Sequence, residues 1–162
     1  MEKGKIKVAI LTVSTSCFKG ERKDRSGEVL MRQCKKAGFV VAKKDIVSDR
    51  KSEIKKFLKG YLRERINLVL TTGGTGLGPF DVTPEATLEI GGRNVPGISE
   101  FIRIKGVEKT KTSILSRGVC VLKGKTLIIN LPGSTSGARD SFKAVLPVLE
   151  HAFHIIKGGG HD

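Results

Sequence analysis

The chain reads as an α/β protein built on a mostly parallel sheet, and three observations say so. Apolar, β-branched runs alternate with amphipathic segments in the order strand, helix, strand, helix, strand, helix, which calls for parallel strands joined by right-handed crossovers. The third apolar run opens directly into a glycine-rich loop and a new helix start. Two later runs flank Lys123-Gly124-Lys125 as a hairpin, which adds antiparallel character near one side. At 162 residues the chain suits a single domain, expected over residues 1–157 with 158–162 as a flexible tail.

Taken in order, Lys7 to Val13 is apolar and β-branched, the pattern of a strand buried on both faces. Ser14-Thr15-Ser16 ends it, and Phe18 to Lys23 is charged and loop-like. Asp24-Arg25-Ser26-Gly27 then opens a helix with Leu30, Met31, Cys34 and Ala37 at helical spacing, stopped by Gly38. Phe39 to Val41 and Ile46-Val47 frame a second strand ending at Ser48-Asp49. The next helix has the clearest period, with Ile54, Phe57, Leu58, Tyr61 and Leu62 on one face and lysines away from it.

Asn67 to Leu70 is a short buried-type strand, after which Gly73, Gly74, Gly76 and Gly78 crowd six positions around Thr75. Such density turns successive N–H groups toward one point and lets a phosphate approach the main chain. Lysine and Ser/Thr would follow Gly78 in a P-loop, but Pro79 and Phe80 stand there. The alternate spacing of Gly74, Gly76 and Gly78 also departs from the dinucleotide fingerprint. Thr83-Pro84-Glu85 reads as N-cap, first-turn proline and first-turn acid. In parallel sheets ligands gather outside the carboxyl ends of the strands, where Ser14, Asp49 and the stretch from Gly73 to Asp81 would converge.

Gly97 to Lys105 reads as a helix with Ile98, Phe101 and Ile102 facing the core; Glu100 either sits at the edge of that stripe or points into the crevice. A short connector carries Ser116-Arg117, and the hairpin's second strand ends at Asn130-Leu131-Pro132-Gly133-Ser134. The remainder is helical, with Pro147 expected to force a kink or a fresh start. A formal charge of +14 calls for an anionic partner, whether nucleic acid, membrane lipid or a small polyphosphate. With no Trp and Tyr61 as the sole tyrosine, base stacking on aromatic side chains is disfavoured. Cys17, Cys34 and Cys120 lack metal or disulfide spacing, and His151 with His154 has no acidic or Cys partner nearby in sequence. The N-terminal apolar run is too short for a signal peptide or a membrane span, so a cytoplasmic protein is expected.

Thr71-Thr72-Gly73-Gly74-Thr75-Gly76, Asp81-Val82-Thr83-Pro84-Glu85-Ala86-Thr87, Pro96-Gly97 with Glu100, Leu115-Ser116-Arg117 and Asn130-Leu131-Pro132-Gly133 together resemble the molybdenum cofactor biosynthesis family of the MogA/MoaB type. The resemblance runs along most of the chain. It implies a three-layer αβα sandwich and transfer of AMP from Mg-ATP to molybdopterin with release of pyrophosphate. It implies a homotrimer, leaving open a dimer of trimers, and a molybdenum-insertion enzyme downstream. The family's two important aspartates correspond to Asp49 and Asp81, expected as catalytic residues and as Mg²⁺ ligands. Substrate contacts are expected from Ser14, Asp24, Ser26, Gly27, Gly73, Gly74, Thr75 and Gly76, with Glu100, Ser116, Arg117, Pro132, Gly133 and Ser134 completing the set. One departure stands out: the loop after the first strand commonly carries an acidic residue near the serine, and Ser14 to Gly20 has none.

Competing readings are purely local. Asp49 as a helix N-cap, Asp81 as an Asx-turn residue and Ser134 as a cap need no ligand. For the whole chain, a molybdopterin-binding or carrier protein with little adenylyl transfer is the alternative, and a nucleic-acid binder, motivated only by charge, ranks behind both.

Overall fold

A computed structural model describes residues 5–160. Its strands are β1 (Lys7–Val13), β2 (Val40–Val47), β3 (Leu68–Thr72), β4 (Arg93–Asn94), β5 (Cys120–Lys123) and β6 (Thr126–Leu131). Its α-helices are α1 (Thr15–Phe18), α2 (Arg25–Lys36), α3 (Lys51–Arg63), α4 (Thr83–Glu89), α5 (Pro96–Val107) and α6 (Thr135–Ile156), with a 3-10 turn over Lys111–Leu115. The strands form one sheet in the order β2-β1-β3-β6-β5-β4. β2, β1, β3 and β6 run parallel, while β5 and β4 add antiparallel pairs at one edge.

Side chains alternate across a strand, so each central strand feeds two cores. Val8, Ile10, Leu68, Leu70, Ile129 and Leu131 point one way and pack on α2 and α6 through Leu30, Cys34, Phe142, Val145 and Leu149. Ala9, Leu11, Val69 and Ile128 point the other way, onto Ile54, Leu58 and Tyr61 of α3 and Ala86 of α4. The result is the three-layer αβα sandwich implied by the family resemblance. Burial inside these cores pushes the Cys34 and Cys120 thiols up to about 12, which removes them from thiolate chemistry.

Several elements differ from expectation for identifiable reasons. β2 does occupy the segment framed by Phe39 to Val41 and Ile46-Val47, its polar middle tolerated because it is the sheet's edge. α6 runs through Pro147 without a break; Pro147 and Lys143 are both exposed, so water can take up the carbonyl that the proline leaves free. α1 and β4 are too short to carry a periodic signal. Gly158, at φ 96°, closes α6: its N–H and that of Gly159 return to the carbonyls of Ile155 and His154. His161 and Asp162 of the expected tail, like Met1 to Gly4, lie outside the described residues.

Phe142 is fully buried and meets Phe39 edge-on, 6.4 Å between ring centres. Phe142→Ala should therefore cost about 3–5 kcal/mol, read as a lower midpoint in a urea melt with an unchanged slope.

Candidate functional site

The chain leaves β1 toward α2 on one face of the sheet and leaves β3 toward α4 on the other. β1 and β3 are neighbours, so the connections that leave their carboxyl ends part and a crevice opens between those connections, the switch point at which α/β sheets bind ligands. It measures about 670 Å³ and is walled by Thr12, Asp24, Asp49, Gly73, Gly74 and Asp81. Ser14, Ser26, Gly133 and Ser134 complete its rim. Asp49 and Asp81, 32 positions apart in the chain, thus share one cavity.

Glycine is required at the base of the loop after β3. Gly73 and Gly74 take φ values of 103° and 67°, and a Cβ on Gly73 would run into the carbonyl of Val13. Thr83 does not cap α4. Its hydroxyl donates instead to the Gly73 carbonyl at 2.9 Å, and its N–H reaches Gly74 O at 3.1 Å. Beneath lies a buried relay in which Asn130 Nδ2 donates to the hydroxyls of Thr71 and Thr87, each at 3.0 Å, and Thr87 donates to Thr83 O.

Each carboxylate is fixed by one oxygen. Asp81 Oδ2 accepts from Gly78 N at 2.9 Å, and a Cβ on Gly76 would come within 2.8 Å of it. Asp49 Oδ2 accepts from both the N–H and the hydroxyl of Thr15, at 2.9 and 2.8 Å. Among the described residues no hydrogen bond reaches Oδ1 of either. Asp49 does not cap α3, whose N-cap is Arg50. Asp24, by contrast, is spent: it caps α2 through Gly27 N, accepts from Thr12 at 2.8 Å and pairs with Lys44 at 3.4 Å. Gly27 is needed for that cap, since a Cβ there would sit 2.6 Å from the Thr12 hydroxyl as well as against the Asp24 carboxylate.

Arg117 corrects an expectation. From sequence its side chain suits a substrate phosphate, but it holds the glycine loop, donating to Gly76 O at 2.8 Å, to Asp81 O at 2.6 Å and to the Glu85 carboxylate. Its own N–H donates to Thr75 O at 2.8 Å. Glu100 is a second correction. Ile98 and Ile102 face the core four residues apart, which turns the intervening Glu100 about 200° away from each, exposed and outside both crevices. Phe101 is likewise 40% exposed instead of buried.

Thr75, Gly76, Ser116 and Pro132 line a second crevice of about 820 Å³ that meets the first at Ser134. Ser134 caps α6, accepting from Gly137 N at 3.1 Å, and the 22-residue helix directs its N-terminus at the junction of the two cavities. Arg22, Lys23 and Arg25 line the first crevice, exposed and engaged in no side-chain hydrogen bond or ion pair within the described residues. Sequence reasoning reads Arg22 and Lys23 as part of a charged loop and Arg25 as part of a helix opening, with no site role; the signal is their position flanking the Asp24 cap. The same described residues hold no group of three or more His, Cys, Asp or Glu able to bind a metal, and no helix long and apolar enough to cross a membrane.

Fold and site define a doubly wound α/β protein with a glycine-walled, cation-lined crevice at its switch point. A family model described as "Probable molybdopterin binding domain" matches residues 9–151, and the chain belongs to that family. It is 33% identical to the molybdopterin adenylyltransferase of Helicobacter pylori strain J99 over 156 residues, 94% of this chain and 89% of that one. To the Drosophila melanogaster molybdenum cofactor synthesis protein cinnamon it is 39% identical over 93% of its own length. That protein and two other curated relatives are much longer, and the chain spans 26%, 50% and 48% of them. The crystal structure of the molybdopterin biosynthesis enzyme MoaB from Thermus thermophilus superposes with a TM-score of 0.89 at 47% identity, covering 97% of this chain and 99% of that one.

Arg117 beside Glu85 holds that carboxyl below the ordinary glutamate range. Its support of the loop is therefore complete above about pH 4.3 and is lost only as pH falls through the lowered value. Amide protection over residues 74–81, followed by hydrogen exchange after correction for intrinsic rates, should fade on that acid limb. In Glu85→Gln the acid limb should vanish, and in Arg117→Ala protection should already be lost at neutral pH.

Proposed function

We propose that the protein is a molybdopterin adenylyltransferase of molybdenum cofactor biosynthesis, transferring AMP from Mg-ATP to the terminal phosphate of molybdopterin with release of pyrophosphate. The observation that carries this reading is the shared crevice. Asp49 and Asp81 stand there, each anchored through Oδ2 with Oδ1 left open, among glycine-loop backbone and three unpaired cations. Similarity to the Helicobacter adenylyltransferase along nearly the whole chain supports it.

A phosphomonoester is largely dianionic at neutral pH, so the acceptor needs no strong general base. The obstacle is bringing two polyanions into line. Arg22, Lys23 and Arg25 with the α6 N-terminus can offset that charge, and the rigid glycine loop can hold the phosphates in place. The donor set fits Mg²⁺, which takes one or two carboxylates and completes its shell with substrate phosphates and water. Asp49 and Asp81 would hold the ion, and it would supply charge neutralisation at the phosphates. The second crevice, contiguous at Ser134, gives room for the other substrate.

The exposed apolar side chains Phe101, Ile104, Ile114 and Leu115 on α5 and the 3-10 turn favour self-association, which we read as a homotrimer. We place the protein in the cytoplasm, passing its product to a molybdenum-insertion enzyme. A molybdopterin carrier with little or no transfer is the second reading, motivated by the lack of an acidic residue from Ser14 to Gly20, near the serine that follows β1.

With ATP, Mg²⁺ and molybdopterin the protein should release pyrophosphate, and Asp81→Asn should lower turnover roughly a hundred-fold or more. Wild-type turnover in that variant would exclude an essential role for Asp81. Absence of pyrophosphate with the native protein would leave the carrier.

A further inference from the structure

Thr15 follows the N-cap Ser14 of a four-residue helix, in the loop that lacks the expected acidic residue. Its contacts are specific. The N–H and the hydroxyl converge on a single oxygen, Asp49 Oδ2, at 2.9 and 2.8 Å, and the same hydroxyl accepts from Asp49 N at 3.1 Å. These bonds extend the β1–β2 pairing beyond the strand ends, one step past the bond from Ser14 N to Val47 O. Joining the two loops would need only one of them. The doubled grip on Oδ2 does something more: it sets the rotation of the carboxylate, so that Oδ1 is the oxygen left for a ligand.

We propose that Thr15 is the positioning residue for Asp49, aiming its free oxygen into the crevice, and that as a neutral residue it does so without adding a third negative charge beside the incoming phosphates. The proposal rests on the adenylyl-transfer reading. A carboxylate at position 15 would repel Asp49 across hydrogen-bond distance, whereas a hydroxyl donates to it. Threonine also restricts its own χ1, so the hydroxyl stays aimed. The absent acidic residue is, on this view, a substitution of one way of organising the crevice by another.

Thr15→Val keeps the shape and removes the hydroxyl; Thr15→Ser keeps the hydroxyl. Steady-state pyrophosphate release should show kcat lowered about ten- to hundred-fold in the valine variant, with KM for ATP little changed, and near wild type in the serine variant. Thermal unfolding midpoints should match, and a crystal structure of the valine variant should show the Asp49 carboxylate rotated. Full turnover in Thr15→Val while Asp49→Asn is inactive would overturn the role of Thr15 and leave the adenylyl-transfer reading standing. Equal losses in the valine and serine variants, with lowered midpoints in both, would reduce Thr15 to a structural tie. If the native protein releases no pyrophosphate, it is the adenylyl-transfer reading that fails. The Asp49 orientation in the valine variant then decides the position of Thr15, and an unchanged carboxylate overturns it.

Discussion

Where the first and third strands end, main chain meets main chain with no room for a side chain between. Gly73 lies against the Val13 carbonyl, and a Cβ on Gly133 would come within 3.2 Å of the Gly73 Cα, so the ends of three neighbouring strands close on one another through backbone. This close approach lets the chain leave β1 for one face and β3 for the other without spreading the sheet. The crevice is the gap left by that divergence. A larger residue at Gly73 would have to move β1, and with it the loops that carry Asp24 and Asp49.

Around this contact the protein separates two kinds of charge. The fixed kind is built from dipoles and fully committed groups: Asn130 and the threonines beneath the glycine loop, Arg117 across its top and Asp24 at the head of α2. Every buried side-chain nitrogen and oxygen among the described residues has a partner, which makes this wall stiff. The uncommitted kind consists of Arg22, Lys23 and Arg25, exposed at the rim and unpaired among the described residues. A site for phosphates profits from both, since preformed dipoles need no reorganisation while long cationic side chains can follow a ligand as its charge shifts.

The fold was legible because its signals are periodic. β-branched runs of strand length and the stripe on α3 survive in any reading that counts apolar positions, and the glycine loop announces itself by density. What sequence could not show is which partner a polar side chain chooses. Arg117 looks like a phosphate ligand until the loop carbonyls of Asp81 and Gly76, 36 and 41 positions away, are seen within its reach. Thr83 has the right type and place for an N-cap, but it lies inside the first turn of α4, behind the cap residue Val82, and its hydroxyl donates to the buried Gly73 carbonyl. Glu100, read from sequence as either at the edge of an apolar stripe or aimed into the crevice, is turned away from both crevices by the 100° advance per residue of α5. The rim cations escape notice for the opposite reason: in a chain of charge +14, three more basic residues around a helix start carry no distinguishing mark.

That excess charge is itself unevenly spent. Lys51 and Lys55 both bind Glu89, holding its carboxyl at about 2, while Lys43 pairs with Glu64 and Lys109 with Asp140. Burial pulls the Lys44 ammonium down, yet Glu28 and Asp24 outweigh it and leave the lysine more basic than usual. These five cations thus have anions of their own. At the crevice, among the described residues, unpaired cations stand beside two carboxylates whose free oxygens lack any donor. Such an arrangement is poorly neutralised by itself, since a carboxylate accepts and cannot donate, and the arginines and lysine have not closed onto it. On the adenylyl-transfer reading proposed above, a ligand carrying both a hard cation and phosphate oxygens would suit both halves, the cation at the aspartates and the phosphates at the basic rim. Magnesium-bound nucleotide has that composition, and a bare anion or a bare metal has only half of it.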